Sequence, residues 1–146
     1  MARKLKVYFA CSIKGEQGGK EEKIMITNII KDLGHKILTE IILGHDLNAN
    51  DTANLTPPQI YERDINWIND SDLVVADVTR ISMGVGYEIG WVLRGGGKVV
   101  ALCRADRKDA LSNMIKGIID KNFSLHYWEN EDDLKIALKN ELEKLV

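Results

Sequence analysis

The sequence is poor in the residues that would tie it to a metal, a disulfide framework or a membrane. Its 146 residues include 2 cysteines, 3 histidines and 2 prolines. Cys11 and Cys103 have no metal-type spacing and His35, His45 and His126 form no H-x-x-x-H pair, so neither a structural metal nor a cofactor is expected. Two lone thiols suit a reducing compartment, which predicts the cytoplasm. So few prolines leave no Pro-rich linker. No apolar run approaches the ~18 residues of a membrane span. The opening run Val7-Tyr8-Phe9-Ala10-Cys11 ends at Ser12 and Lys14, and reads as a strand rather than a signal peptide. Neither sign of charge dominates: 20 Lys and Arg against 22 Asp and Glu leave a net charge of -2. That gives no electrostatic footprint for a nucleic-acid polymer, although a small anionic ligand remains compatible with it.

What is present is ordinary globular material, 45% hydrophobic and 29% charged, expected to form one α/β domain over residues 1–146. Short β-rich runs alternate with helical patterns along the chain, the signature of βαβ units on a parallel sheet. Strands are expected at Lys6 to Ala10, Lys36 to Thr39, Leu73 to Ala76, Lys98 to Cys103 and Phe123 to Tyr127. Between them fall a helix with Ile26, Ile29, Ile30 and Leu33 on one face and Gly34 as its left-handed stop, and a helix from Thr56-Pro57-Pro58-Gln59 to about Asn69. The second helix carries three start signals: a Thr N-cap, proline at the first position and a Thr/Gln capping box. Helices at Gly86 to Leu93, at Ala110 to Lys116 and after Asn130, with Leu134, Leu138, Leu142 and Leu145, complete the pattern. The polar stretch Leu43 to Leu55 reads as a long loop, of the kind that is functional or mobile. Five strands fit a doubly wound, flavodoxin-like sheet ordered 2-1-3-4-5. That order separates Cys11 from Cys103 and puts ligands beside the loops after strands one and three.

Those loops hold the candidate chemistry. After strand three, Gly84 and Gly86 flank one residue ahead of the expected helix, which suits close approach of a phosphate to free N–H groups, or simply a tight glycine turn. Glu88 then falls in the first helical turn. There the helix dipole favours an ionised carboxylate, read either as a nucleophile or as an acid balancing the dipole. Asp64 interrupts the stripe Ile60, Asp64, Trp67 and Ile68, so it is either bridged to a cation such as Arg80 or held at the pocket beside Glu88, with its proton affinity raised. After strand one, Ser12 and Lys14 are placed to meet sugar or phosphate oxygens, or to make a plain turn. The segment Gly15 to Lys20 fails as a P-loop, because its spacing is wrong and Glu21 stands where Ser or Thr would bind magnesium.

These residues together resemble the nucleoside 2-deoxyribosyltransferase-like proteins, and within them the 2'-deoxynucleoside 5'-phosphate N-hydrolases. The carriers are Val7 to Gly15, Glu62-Arg63-Asp64 with Trp67, Asp72 to Thr79, Ser82 to Gly90, and Leu111 to Gly117. By this resemblance Glu88 is the nucleophile at C1' of the sugar, Asp64 the acid that assists base departure and water activation, and Tyr8 a residue near the sugar. Ser12 falls in the first nucleotide-binding loop. Ser82, Gly84 and Gly86 match the phosphate turn, and Ser112 a serine that reaches the 5'-phosphate from a neighbouring subunit, which implies a homodimer. Retaining glycosidases hold their carboxyls ~5–5.5 Å apart, the spacing expected by analogy for Glu88 and Asp64.

Two departures from the family pattern bear on phosphate affinity and base preference: Cys11 stands where relatives often carry glycine, and Lys14 where they often carry arginine, losing the planar fork. The resemblance implies hydrolysis of a nucleoside 5'-monophosphate to free base and sugar phosphate. Exchange of bases between nucleosides and a non-catalytic nucleotide-binding module are the alternatives.

Overall fold

The computed structural model describes residues 2–39 and 54–146. The polar stretch expected at Leu43 to Leu55 lies, up to residue 53, outside the described residues. Five strands, β1 (Lys6–Ala10), β2 (Lys36–Ile37), β3 (Leu73–Asp77), β4 (Val99–Arg104) and β5 (Phe123–Trp128), form one parallel sheet in the order β2-β1-β3-β4-β5. The helices are α1 (Lys20–Asp32), α2 (Pro57–Asp70), α3 (Met83–Arg94), α4 (Asn113–Lys116) and α5 (Glu131–Glu143), with a 3-10 turn at Ala105–Ala110.

Alternation along the strands decides which helix covers which face. Val7, Phe9, Val75, Val100 and Leu102 pack with Ile26, Ile30, Leu134 and Leu138 of α1 and α5. Tyr8, Ala10, Val74, Ala76, Val99 and Ala101 pack on the other face with Ile68 of α2 and Val85, Ile89 and Val92 of α3. Tyr8 is therefore committed by strand parity to the face that carries α2 and α3. Cys11 and Cys103 are both buried and free. Among the described residues, no helix is long and apolar enough to cross a membrane, and no group of three or more His, Cys, Asp or Glu side chains is placed to hold a metal.

Three expected elements are reshaped. β2 closes after Ile37 rather than Thr39, because the Thr39 side chain takes over from the ladder: the Phe9 N–H donates to Thr39 Oγ1, and that hydroxyl donates to the Phe9 carbonyl, each at 3.2 Å. The helix expected at Ala110 to Lys116 is split, since Leu111 is extended and Ser112 caps a fresh start, accepting from the Met114 N–H at 3.2 Å. The third change matters most for the site. α3 begins at Met83, not Gly86, with Ser82 as its N-cap accepting from the Val85 N–H at 3.3 Å. The Thr56 capping box forms as expected: the Gln59 N–H donates to Thr56 Oγ1 at 3.4 Å, and the Thr56 N–H donates to Gln59 Oε1 at 2.9 Å.

Candidate active site

A cleft of about 640 Å³ opens at the carboxyl edge of the sheet, between the loop after β1 and helices α2 and α3. Tyr8, Cys11, Lys14, Arg63, Asp64, Ser82, Gly84 and Glu88 all line it, as do Tyr61 and Tyr87. Asp64 and Glu88 thus reach one space from two different helices. Tyr61 and Tyr87 join their hydroxyls at 2.7 Å, and the Tyr87 ring also stacks on Trp91.

Burial dominates the electrostatics of this cleft. It pushes Glu88 up to about 7, helped by the negative charge of Asp64 and opposed by hydrogen bonding from Tyr8. Glu88 Oε2 is buried with no hydrogen-bond partner among the described residues. The expectation of a dipole-stabilised, ionised Glu88 in the first turn is corrected: with α3 starting at Met83, Glu88 is the sixth residue of the helix, beyond the turn where the dipole acts. Burial also raises Asp64, with the neighbouring Arg63 guanidinium holding it down. Tyr8 is raised by burial and by the two carboxyls, so its phenol stays protonated. The Cys11 thiol is pushed up to about 12, chiefly by burial, and presents a neutral wall.

The alternative of an Asp64–Arg80 bridge does not form. Arg63 Nε donates to Asp64 Oδ1 at 3.0 Å, while Arg80 pairs with Glu22, itself bridged to Arg104. The loop residues behave unevenly. Ser12 is buried and spends its hydroxyl on the Glu16 carbonyl at 2.8 Å, so within this chain it shapes the turn rather than lining the cleft. Lys14 is exposed and lines the cleft beside Gly15, Ser82 and Gly84. Gly84 is at the second position of α3, where N–H groups lack intrahelical partners. Gly86 is inside the helix and does not line the cleft. Ser112 is exposed and stands outside it.

Residue spacing gave no hint of the support behind the loops. The Glu16 N–H donates to the Ile81 carbonyl at 2.8 Å, the Ile81 N–H donates back to Glu16 Oε2 at 3.2 Å, and Arg107 bridges the other Glu16 oxygen. Gly15 packs so closely under this joint that a Cβ there would collide with the Ile81 carbonyl and lie 2.9 Å from Ser12 Oγ.

Known proteins resemble this chain in sequence and in fold. A family model described as nucleoside 2-deoxyribosyltransferase matches residues 7–136. A Nematostella vectensis protein provisionally named 2'-deoxynucleoside 5'-phosphate N-hydrolase 1 is 40% identical over 133 residues, covering 87% of each chain. The 5-hydroxymethyl-dUMP N-hydrolase of Rattus norvegicus is 37% identical over 117 residues, covering 78% of this chain and 70% of its own. Among solved structures, the Clostridium botulinum CMP N-glycosidase superposes with a TM-score of 0.63 at 23% identity over 94% of this chain and 98% of its own, an agreement of fold. With a family match across nearly the whole length and relatives this similar, the chain belongs to the nucleoside 2-deoxyribosyltransferase family.

Proposed function

We propose that the protein is a hydrolase of nucleoside 5'-monophosphates, acting as a single domain that cleaves the N-glycosidic bond to release free base and sugar 5-phosphate. The observation that carries this reading is the meeting of Asp64 and Glu88, from two different helices, in one cleft that Lys14, Ser82 and Gly84 also line. The relatives named as hydrolases of nucleoside phosphates support the same reaction class.

The chemistry follows from the two carboxyls. An ionised Glu88 oxygen attacks C1', the C1'–N bond breaks, and the base leaves with a proton from Asp64. Water then attacks C1', Asp64 takes its proton, and the bond to Glu88 breaks to regenerate the carboxylate. Charge of oxocarbenium character is stabilised by the same carboxylates. Tyr8 hydrogen bonding favours the ionised form of Glu88 that the first step needs. The start of α3 and Lys14 supply N–H groups and positive charge for the 5'-phosphate.

Ser112 serves the phosphate of a neighbouring subunit in this reading. Its exposure outside its own cleft supports that role, as do the exposed side chains of Met83, Tyr87 and Trp91, which leave an apolar face for a second copy to cover.

The deciding experiment incubates the protein with nucleosides and their 5'-monophosphates, with and without an acceptor base, and separates the products by chromatography. Free base from monophosphates alone is expected. Base exchange on unphosphorylated nucleosides makes the protein a transferase, and tight binding without turnover makes it a nucleotide-binding module.

A further inference from the structure

Asp64 and Glu88 share a cleft, yet a cation touches only one of them among the described residues. Arg63 bridges Asp64 at 3.0 Å, and Glu88 has no ion pair. Neighbouring residues on a helix point about 100° apart, so a contact between positions 63 and 64 requires the long side chain to bend round. Trp67, one turn further along α2, supplies the support: the Arg63 guanidinium carbon lies 5.0 Å from the centroid of its ring. The guanidinium thus lies over the indole and donates through Nε to the carboxylate.

The other titratable groups lining this space leave the asymmetry intact. Tyr8 comes from β1, Cys11 and Lys14 from the loop after it, Tyr61 from α2, and Tyr87 and Glu88 from α3. Lys14 makes no ion pair among the described residues, and both tyrosine hydroxyls at the mouth are turned to each other.

We propose that Arg63, seated on Trp67, is the positioning residue that keeps Asp64 ionised in the resting site, so that the one proton of the Asp64–Glu88 pair stays on Glu88, where burial already favours it. Directions of proton affinity agree, since Arg63 lowers Asp64 while the Asp64 charge raises Glu88. The consequence for turnover rests on the hydrolase reading. Attack requires the opposite arrangement, with Glu88 ionised and Asp64 protonated, so the Arg63 bridge keeps the empty site quiet and must yield when the substrate enters. The location of the proton itself is a property of the ligand-free protein and needs no turnover.

The test is a carboxyl carbon-13 NMR titration of the ligand-free protein, with Asp64→Asn and Glu88→Gln assigning the two signals. In the wild type, Asp64 is expected to titrate below Glu88. In Arg63→Gln the Asp64 midpoint should rise by about half to one pH unit, an amount reduced by partial exposure of the pair, and Arg63→Lys should return most of it. An Asp64 midpoint in Arg63→Gln that coincides with the wild type, or Glu88 titrating first in the wild type, overturns the assignment. Trp67→Leu gives an independent reading should Arg63→Gln fail to fold. It leaves both charges in place but frees the guanidinium, so Asp64 should move up by less, and no movement there overturns the proposal equally. In turnover of a nucleoside 5'-monophosphate, the alkaline limb of kcat/KM should move up with the Arg63→Gln midpoint. A limb that stays while the midpoint moves would overturn Asp64 and Glu88 as the chemical pair and leave the role of Arg63 standing.

Discussion

The Nζ of Lys23, on α1, donates a 2.7 Å hydrogen bond to the carbonyl oxygen of Ser12, and both residues are almost wholly buried, at 5% and 4% exposure. A lysine is held inside the protein to fix one backbone turn, the turn from which Cys11, Lys14 and Gly15 line the cleft. Replacing it with Lys23→Met keeps the apolar stem and orphans the carbonyl. A loss of about 1–3 kcal/mol in denaturant unfolding is expected. KM for a nucleoside monophosphate should rise more than kcat falls, as steady-state kinetics would show.

Glu88→Gln should abolish hydrolysis while stabilising the fold above neutrality. The folded value of about 7 lies above the usual carboxylate value of 4.5. The folded protein therefore binds the extra proton between those limits, and its stability falls as pH rises from about 4.5 to 7. The amide never ionises. Thermal unfolding should place the variant above the wild type at pH 8, by on the order of 2 kcal/mol, and near it at pH 4.

The rate should follow the same pair. The proposed chemistry needs one proton on Asp64 and Glu88 together, so kcat/KM should fall on the alkaline side with a midpoint near 7, where the pair loses it. A flat profile to pH 9 would show that the doubly ionised pair works.

Gly15→Ala tests the joint between the two nucleotide-side loops. The added methyl would collide with the Ile81 carbonyl. The loop after β1 must then part from the loop after β3, and a rise of at least tenfold in KM is expected, about 1.4 kcal/mol of binding, measured with the fold monitored by circular dichroism.

The sheet was legible because its strands are apolar runs such as Leu73-Val74-Val75-Ala76, which only burial on both faces explains. The start of α3 was misplaced because Gly84 and Gly86 look like loop residues, whereas Ser82, a good N-cap, had already begun the helix. The raised proton affinity of Glu88 was not legible either, because it comes from burial in the folded cleft. Arg63 was legible as part of the Glu62-Arg63-Asp64 motif but not as the partner of Asp64, because adjacent helical positions do not ordinarily meet. Ser12 was legible as a loop residue but not as one that bonds inward, since its partner is the Glu16 carbonyl and backbone partners leave no trace in residue identity.

The loops that frame the cleft are braced by ions rather than by oil: Glu22 to Arg80 and Arg104, and Glu16 to Arg107. These side chains keep between about one sixth and one third of their surface in water, where dissolved electrolyte reaches them. The same electrolyte, as sulfate, tightens the apolar layers on either side of the sheet. Salt thus weakens the working edge of the protein more than it weakens the scaffold.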